Sequence, residues 1–366
     1  MQSSMIGEAY NIIETLFQKN QVFYQPQVID NSIKMADYET EFHFFWNYMN
    51  HRILSINQWL EKRMPLLTPL GVILGFLFPF LFLPLRPAIP LLFGFITLSG
   101  AMDLQSRELI SVFARPKVFI LFFIVSHLFM PVIGYVFSTI CNPDNPVYTA
   151  GFVLLFSIPT AVSGFIWNTI FKGDGALSLS LIFLDTICSP FVVPLTVFIL
   201  IGQGISLSFT DLSTSLFLMV VFPTILGVFL NESSKGSIPA QMGPISKPVA
   251  KLFLILVVAA NSSALAPQID WRNGSVYWIA FQAIILGMAG FLLGHLLGKA
   301  GGFSPPQSRT LVFSVGLRNI SAAATIAIAY FPAQAALPAI LGMIFQQSLA
   351  AFAGKIFIGK PDSNRV

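Results

Sequence analysis

Apolar residues run through this chain in long unbroken blocks, and polar residues collect between the blocks instead of alternating with the apolar ones. Ten blocks approach or exceed the roughly 20 residues that cross a hydrocarbon core of about 30 Å as a helix. They are 66–85, 87–102, 118–140, 148–171, 175–201, 212–230, 249–267, 275–298, 310–330 and 334–354. A membrane β-barrel would show short segments of alternating polarity instead. The pattern therefore predicts an all-α polytopic membrane protein with ten transmembrane helices. Pro131, Pro159, Pro190 and Gly316 fall inside blocks, which membrane helices tolerate where neighbours satisfy the freed backbone groups.

Composition supports this picture. Of 366 residues, 55% are hydrophobic and 10% charged, whereas a soluble domain carries about 25% charged residues. Such a chain cannot clothe a water-facing surface of its own size. Two cysteines, Cys141 and Cys188, are too few for a disulfide scaffold. The net charge of +4 is set by loop residues rather than by a nucleic-acid-binding stripe. With the amino terminus inside the cell, fifteen of the 20 Lys and Arg fall on the inner side, including Lys62, Arg115, Lys172, Lys247, Arg309 and Lys355. Only Arg86 and Arg272 fall outside. The positive-inside rule then predicts a multi-pass protein of the cell membrane with both termini cytoplasmic and the lipid bilayer as its surroundings.

Residues 1–64 read as a cytoplasmic leader and juxtamembrane segment, and 356–366 as a cytoplasmic tail. The stretch 1–48 lacks the apolar core of a signal peptide and reads as an extension outside the membrane fold. Phe44–Arg63 mixes aromatic and basic residues, which suits either a membrane-surface segment or a weakly structured leader.

Ten spans divide into two sets of five, 65–211 and 212–355. Because five is odd, the two copies must insert with opposite orientations, as inverted repeats. The fourth span carries Phe156-Ser157-Ile158-Pro159 and the ninth Phe313-Ser314-Val315-Gly316, each followed by small and polar residues. Pro159 lacks an N–H and Gly316 has low helix propensity, so both spans are expected to break near their middles. Paired breaks of this kind mark a midplane binding site; ordinary kinks in packed helices are the competing reading.

These stretches resemble the bile acid:sodium symporter family. Pro159–Gly164, Lys172–Ser178 and Ser189-Pro190 look like that family's fourth and fifth spans, Arg309–Asn319 like its ninth, and Arg115-Pro116-Lys117 with Met130-Pro131 like its third. The likeness covers residues 50–355. It implies a panel of spans one, two, six and seven and a core of the rest, with broken spans four and nine crossing beside the substrate and two sodium ions. Carried over residue by residue, the ion positions fall on Ser126, Ser178, Ser314 and Val315. The family's Glu-x-Gly-x-Gln-Asn pattern reads Ser314-Val315-Gly316-Leu317-Arg318-Asn319 here, its Ser-Asn pair falls on Gly164 and Phe165, and a Thr ligand falls on Ile182. A fixed cation, Arg318, stands where one sodium ligand would be.

Four ionisable groups lie within the blocks once Tyr and Cys are set aside: His127, Asp185, His295 and Arg318. Charges at that depth face a cavity or a partner. Asp185 and Arg318 are the only opposite charges available to each other, so they are expected to pair, directly or through water. The pair either fixes helix packing or leaves Arg318 to bind an anion, whose carboxylate a guanidinium grips with two parallel hydrogen bonds. Asn319, Ser163, Thr160, Gln346 and His127 complete the candidate substrate set. His295 sits in the small-residue ladder Gly290–Gly298 and reads as packing.

The leading expectation is a secondary transporter of a small organic anion, bile-acid-like or another carboxylate, with no cofactor. Its alternatives are a sodium-coupled organic anion symporter and a membrane receptor or channel. No nucleophile–base pairing, HExxH motif or P-loop points to an enzyme or an ATP-driven pump.

Overall fold

The computed structural model describes residues 35–107, 115–202 and 208–359, with side chains from Leu54 onward except that of Gln268. The expectations for residues 1–34 and for the tail from Lys360 lie outside the described residues. The chain forms two compact units, Met1–Arg52 and Ile53–Val366. What is described of the first is helical backbone, and the account below concerns the second.

Among the described residues the regular structure is helical: α1 Met35–Leu77, α2 Pro79–Ala101, α3 Pro116–Cys141, α4 Pro146–Ser157, α5 Ser163–Ile170, α6 Gly175–Ile201, α7 Phe209–Ser233, α8 Ser237–Leu265, α9 Gly274–Ala300, α10 Pro305–Gly316, α11 Ile320–Tyr330 and α12 Leu337–Phe357. Seven of them, α2, α3, α6, α7, α8, α9 and α12 with its preceding turn, are long and apolar enough to cross a membrane. This is a multi-pass membrane protein. Large apolar side chains such as Phe80, Leu91, Ile140 and Phe191 point outward, as a lipid-facing surface requires.

Three departures from the block pattern have local causes. The first helix ends at Leu77, not near residue 85, because Pro79 forces Phe78 out of the α region (φ −125°, ψ 55°). The blocks 148–171 and 310–330 are each two helices, α4 with α5 and α10 with α11. Finally, α3 and α7 each widen into a π turn, Val125–Phe129 and Phe217–Val221, just before Pro131 and Pro223. Proline offers no N–H and crowds the carbonyl four residues back, and the wider turn relieves both.

Without a hydrophobic drive between helices in lipid, close contact rests on small residues. The glycine ladder of α9 lies against α10: a Cβ on Gly294 would fall 2.4 Å from the Leu311 carbonyl oxygen, and one on Gly298 2.8 Å from Ser308 Cβ. Gly75 of α1 meets the α8 backbone in the same way, 2.2 Å from the Ala259 oxygen.

Candidate functional site

The two interruptions, Ile158–Val162 and Leu317–Asn319, lie back to back. Ile158 is extended (φ −62°, ψ 149°), the conformation forced on a residue before proline. Leu317 is extended as well (φ −101°, ψ 109°), with no proline to cause it. The two short extended pieces hydrogen-bond as a minimal antiparallel pair, bridging Thr160 and Arg318. Ala161 N–H donates to the Leu317 carbonyl (3.0 Å) and Asn319 N–H to the Pro159 carbonyl (2.9 Å). Backbone groups freed by the breaks are thus satisfied inside the bundle, as a membrane demands.

Asp185, at mid-length on α6 and fully buried, anchors the first break. Its Oδ2 accepts the Thr160 backbone N–H (2.7 Å), and its Oδ1 meets His127 Nε2 at 2.5 Å. His127 comes from the π turn of α3 and packs its ring on Phe123, centroids 4.5 Å apart. Thr160 also donates its hydroxyl to the Ser314 carbonyl (2.7 Å), tying the first break to the end of α10.

Arg318 sits in the second break and is 2% exposed. Its Nη2 donates to the carbonyls of Phe156 (3.1 Å) and Ser126 (3.3 Å), placing the cation at the negative end of α4. Gln346 of α12 donates to the Arg318 carbonyl (2.7 Å). Nε and Nη1 meet no acceptor among the described residues. A buried guanidinium with unanswered donor hydrogens can receive an acceptor, and an anion would answer both its charge and its hydrogens.

Asp185 and Arg318 were expected to pair directly or through water, and among the described residues they make no direct ion pair. Asp185 is taken by His127 and Thr160, and Arg318 by two carbonyls. Counting charges identified the two residues but missed that an imidazole N–H and a backbone N–H can satisfy a buried carboxylate in geometry. Asn319 caps α11, accepting from Ala322 N–H (3.4 Å) and the Ser321 hydroxyl (3.2 Å). Ser163 opens α5 half-buried. Of the sodium positions, Ser126 and Ser314 lie at the crossing with their carbonyls engaged by Arg318 and Thr160, and the Ser126 hydroxyl is buried without a partner. Val315 is buried with its carbonyl facing Gly290. Ser178 is buried two turns before Asp185 on α6, apart from the crossing.

Sequence reasoning missed a polar knot at the α5–α6 link. Thr310 donates to Asn168 Oδ1 (2.8 Å) and accepts the Asp174 N–H (2.9 Å), Asp174 caps α6 through Leu177 N–H (3.0 Å), and Arg115 pairs with the same carboxylate. Asp174 just before a helix was the available signal, as an N-cap residue. The partners come from distant parts of the chain. Trp167, too, holds Gln347 through its indole N–H (2.7 Å).

Comparison with known proteins sets the chain beside transporters. A profile of the Sodium Bile acid symporter family matches residues 90–269. The uncharacterized protein YbaS of Bacillus subtilis is 35% identical over 291 residues, covering 80% of this chain and 95% of that protein. The probable chloroplast sodium/metabolite cotransporter BASS1 of Arabidopsis thaliana is 25% identical over 76% of this chain and 70% of its own length. The human ileal sodium/bile acid cotransporter is 23% identical over 75% and 78%. The last two are named as cotransporters, not as enzymes.

Proposed function

We propose that this chain, which belongs to the sodium bile acid symporter family, is a secondary transporter of a small organic anion, bile-acid-like or another carboxylate, that works by alternating access. The observation that carries the reading is Arg318, buried where two broken helices cross, with Nε and Nη1 lacking acceptors. A carboxylate supplies those acceptors. The amino end of α11 begins two residues on and directs its positive dipole to the same place.

The fold supports ten crossings. The seven long helices, the membrane part of α1 and the two broken pairs α4–α5 and α10–α11 reach that number. The breaks then fall fourth in each set of five, 65–211 and 212–355, as inverted repeats require. Both termini lie in the cytoplasm under this arrangement. Ion pairs on the cytoplasmic side stay within the panel (Lys251–Glu61, Lys247–Asp103) or within the core (Arg115–Asp174). Among the described residues no ion pair on that side therefore spans panel and core. Arg86 donating to the Ile328 carbonyl (3.0 Å) on the outer side and Asn261 donating to Thr325 (2.9 Å) link the two.

In this reading the guanidinium takes the electrostatic place of a sodium ion. Two unit charges about 4 Å apart interact by roughly 4 kcal/mol at an effective dielectric near 20, which disfavours a second cation beside Arg318. The Ser314 and Ser126 carbonyls are also already engaged. A sodium-coupled symporter is the second reading, favoured by the sodium cotransport named for two relatives. Uptake of labelled carboxylates into proteoliposomes, with sodium replaced by choline, separates the two. The expected result is uptake indifferent to the replacement and abolished by Arg318→Gln. Uptake that rises steeply with sodium, together with a harmless Arg318→Gln, would sink the charge-substitution reading.

A further inference from the structure

The acidic residues of this chain are unevenly distributed. From Trp271 to Gly359 there is no Asp or Glu, while Lys299, Arg309 and Lys355 stand near the ends of α9, α10 and α12 that the positive-inside count assigns to the cytoplasm. Among the described residues none of the three has an ion-pair partner, whereas Lys247, Lys251 and Arg115 each have one. Lys299 and Arg309 line one cavity of about 180 Å³, together with His295, Ser308 and Phe357. Its wall is ordered: the His295 ring stacks on Phe357 with centroids 4.9 Å apart, and Arg309 Nη1 is steered by the carbonyls of Lys172 (3.2 Å) and Phe171 (3.5 Å).

The cavity adjoins a lipid-facing surface. Leu292 and Leu296 on α9, and Phe352 and Ile356 on α12, are exposed apolar side chains within a turn or so of its lining residues. An amphiphile with a compact anionic head and long apolar tails fits this juxtaposition: the head inside, the tails along those four side chains. Cations between helices at the cytoplasmic membrane boundary are also where anionic headgroups are held.

We propose that the cavity between the ends of α9, α10 and α12 binds the phosphodiester of an anionic phospholipid, with Lys299 and Arg309 supplying the charge and the His295 ring lying alongside, while the Ser308 hydroxyl stays bonded to the Gly298 and Phe303 carbonyls as part of the wall. A lipid held here bridges α9 and α12 to α10, the helix that ends at the crossing. The site is independent of Arg318, so its test stands apart from the transport reading.

The experiment titrates the delipidated full-length protein in detergent with phosphatidylglycerol, phosphatidylcholine and inorganic phosphate, reading bound lipid by native mass spectrometry and the unfolding midpoint in parallel. Phosphatidylglycerol is expected to be retained and to raise the midpoint, and the other two are not. Each basic residue near a membrane surface contributes about 1 kcal/mol, so Lys299→Gln is expected to weaken retention about fivefold. Lys299→Arg is expected to keep retention, which separates charge loss from misfolding, and Arg318→Gln is expected to leave it unchanged. Equal retention of phosphatidylcholine, or unchanged phosphatidylglycerol retention in a folded Lys299→Gln, would overturn the proposal. Competition by inorganic phosphate at concentrations comparable to the lipid would overturn it too, by assigning the cavity to a soluble phosphate.

Discussion

The two helix interruptions reach the same crossing by different means. In the first, Pro159 sets the backbone of Ile158 through covalent sterics, and the break is written into the chain. In the second there is no proline. Leu317 is extended because its neighbours hold it: Ala161 N–H on its own carbonyl, Gln346 on the Arg318 carbonyl and the Asn319 side chain on the start of α11. The difference matters for the proposed function because Arg318, the cation it rests on, lies in the second break. Arg318 is positioned by tertiary hydrogen bonds, and rearranging those bonds moves it. Asp185 lies in the uninterrupted α6 and acts on the first break as a fixed post.

Removing that post is expected to have the largest effect. Asp185→Asn keeps the shape but offers one oxygen where the carboxylate serves both His127 Nε2 and Thr160 N–H. It also deletes the only carboxylate within the ten apolar blocks, leaving Arg318 buried without a nearby counter-charge. Losing one member of a buried charge set costs about 3–5 kcal/mol. Thermal unfolding in detergent should show a large drop and a poor folded yield. An unchanged midpoint would mean that the first break stands without its post.

Next in size is Gly316→Ala, and it bears on how the second break was legible. From the chain alone, Gly316 marked a break through low helix propensity. In the structure it is the last residue of α10, and its φ is not in the left-handed region. What requires glycine is Phe291 of α9: a Cβ at 316 would fall 2.2 Å from that ring. Overpacking of this kind costs about 1–3 kcal/mol. Phe291→Leu in the same chain should recover part of the loss. If Gly316→Ala alone is silent, α9 is not what confines the end of α10.

The same contrast separates what could be read from sequence from what could not. The apolar blocks, the two breaks and the residues at the crossing follow from period, proline chemistry and the scarcity of charge, all local properties. The Gly290–Gly298 ladder was legible for the same reason, since small residues announce close contact. What escaped reading depends on partners that the chain brings from afar. The carbonyls of Ser126 and Phe156 that hold Arg318 belong to the backbone and leave no trace in residue type. His127 was expected beside the substrate, yet a π turn, invisible to a 3.6-residue period, presents it to Asp185. The end of the first helix at Leu77 was masked because apolarity continues across Pro79.

The smallest expected effects test the comparison most directly. Gln346→Ala removes the donor on the Arg318 carbonyl, leaving that oxygen with Ile320 N–H alone (2.8 Å). The loss is that of one hydrogen bond, about 1 kcal/mol. Because the bond positions the segment carrying the cation, it should appear as a raised KM for anion uptake with nearly unchanged folding. Pro159→Ala should do less. Releasing φ at a compatible proline costs roughly 0.4–1 kcal/mol through the unfolded chain. The first break also keeps Thr160 N–H on Asp185, the Thr160 hydroxyl on Ser314 and Asn319 N–H on the residue 159 carbonyl. A break over-determined in this way survives loss of its proline, and KM should stay near the wild-type value. Measured side by side, Gln346→Ala should shift KM more than Pro159→Ala, although only the latter removes a residue that by itself breaks helices. The reverse order would mean that the first break, not the second, sets where Arg318 stands.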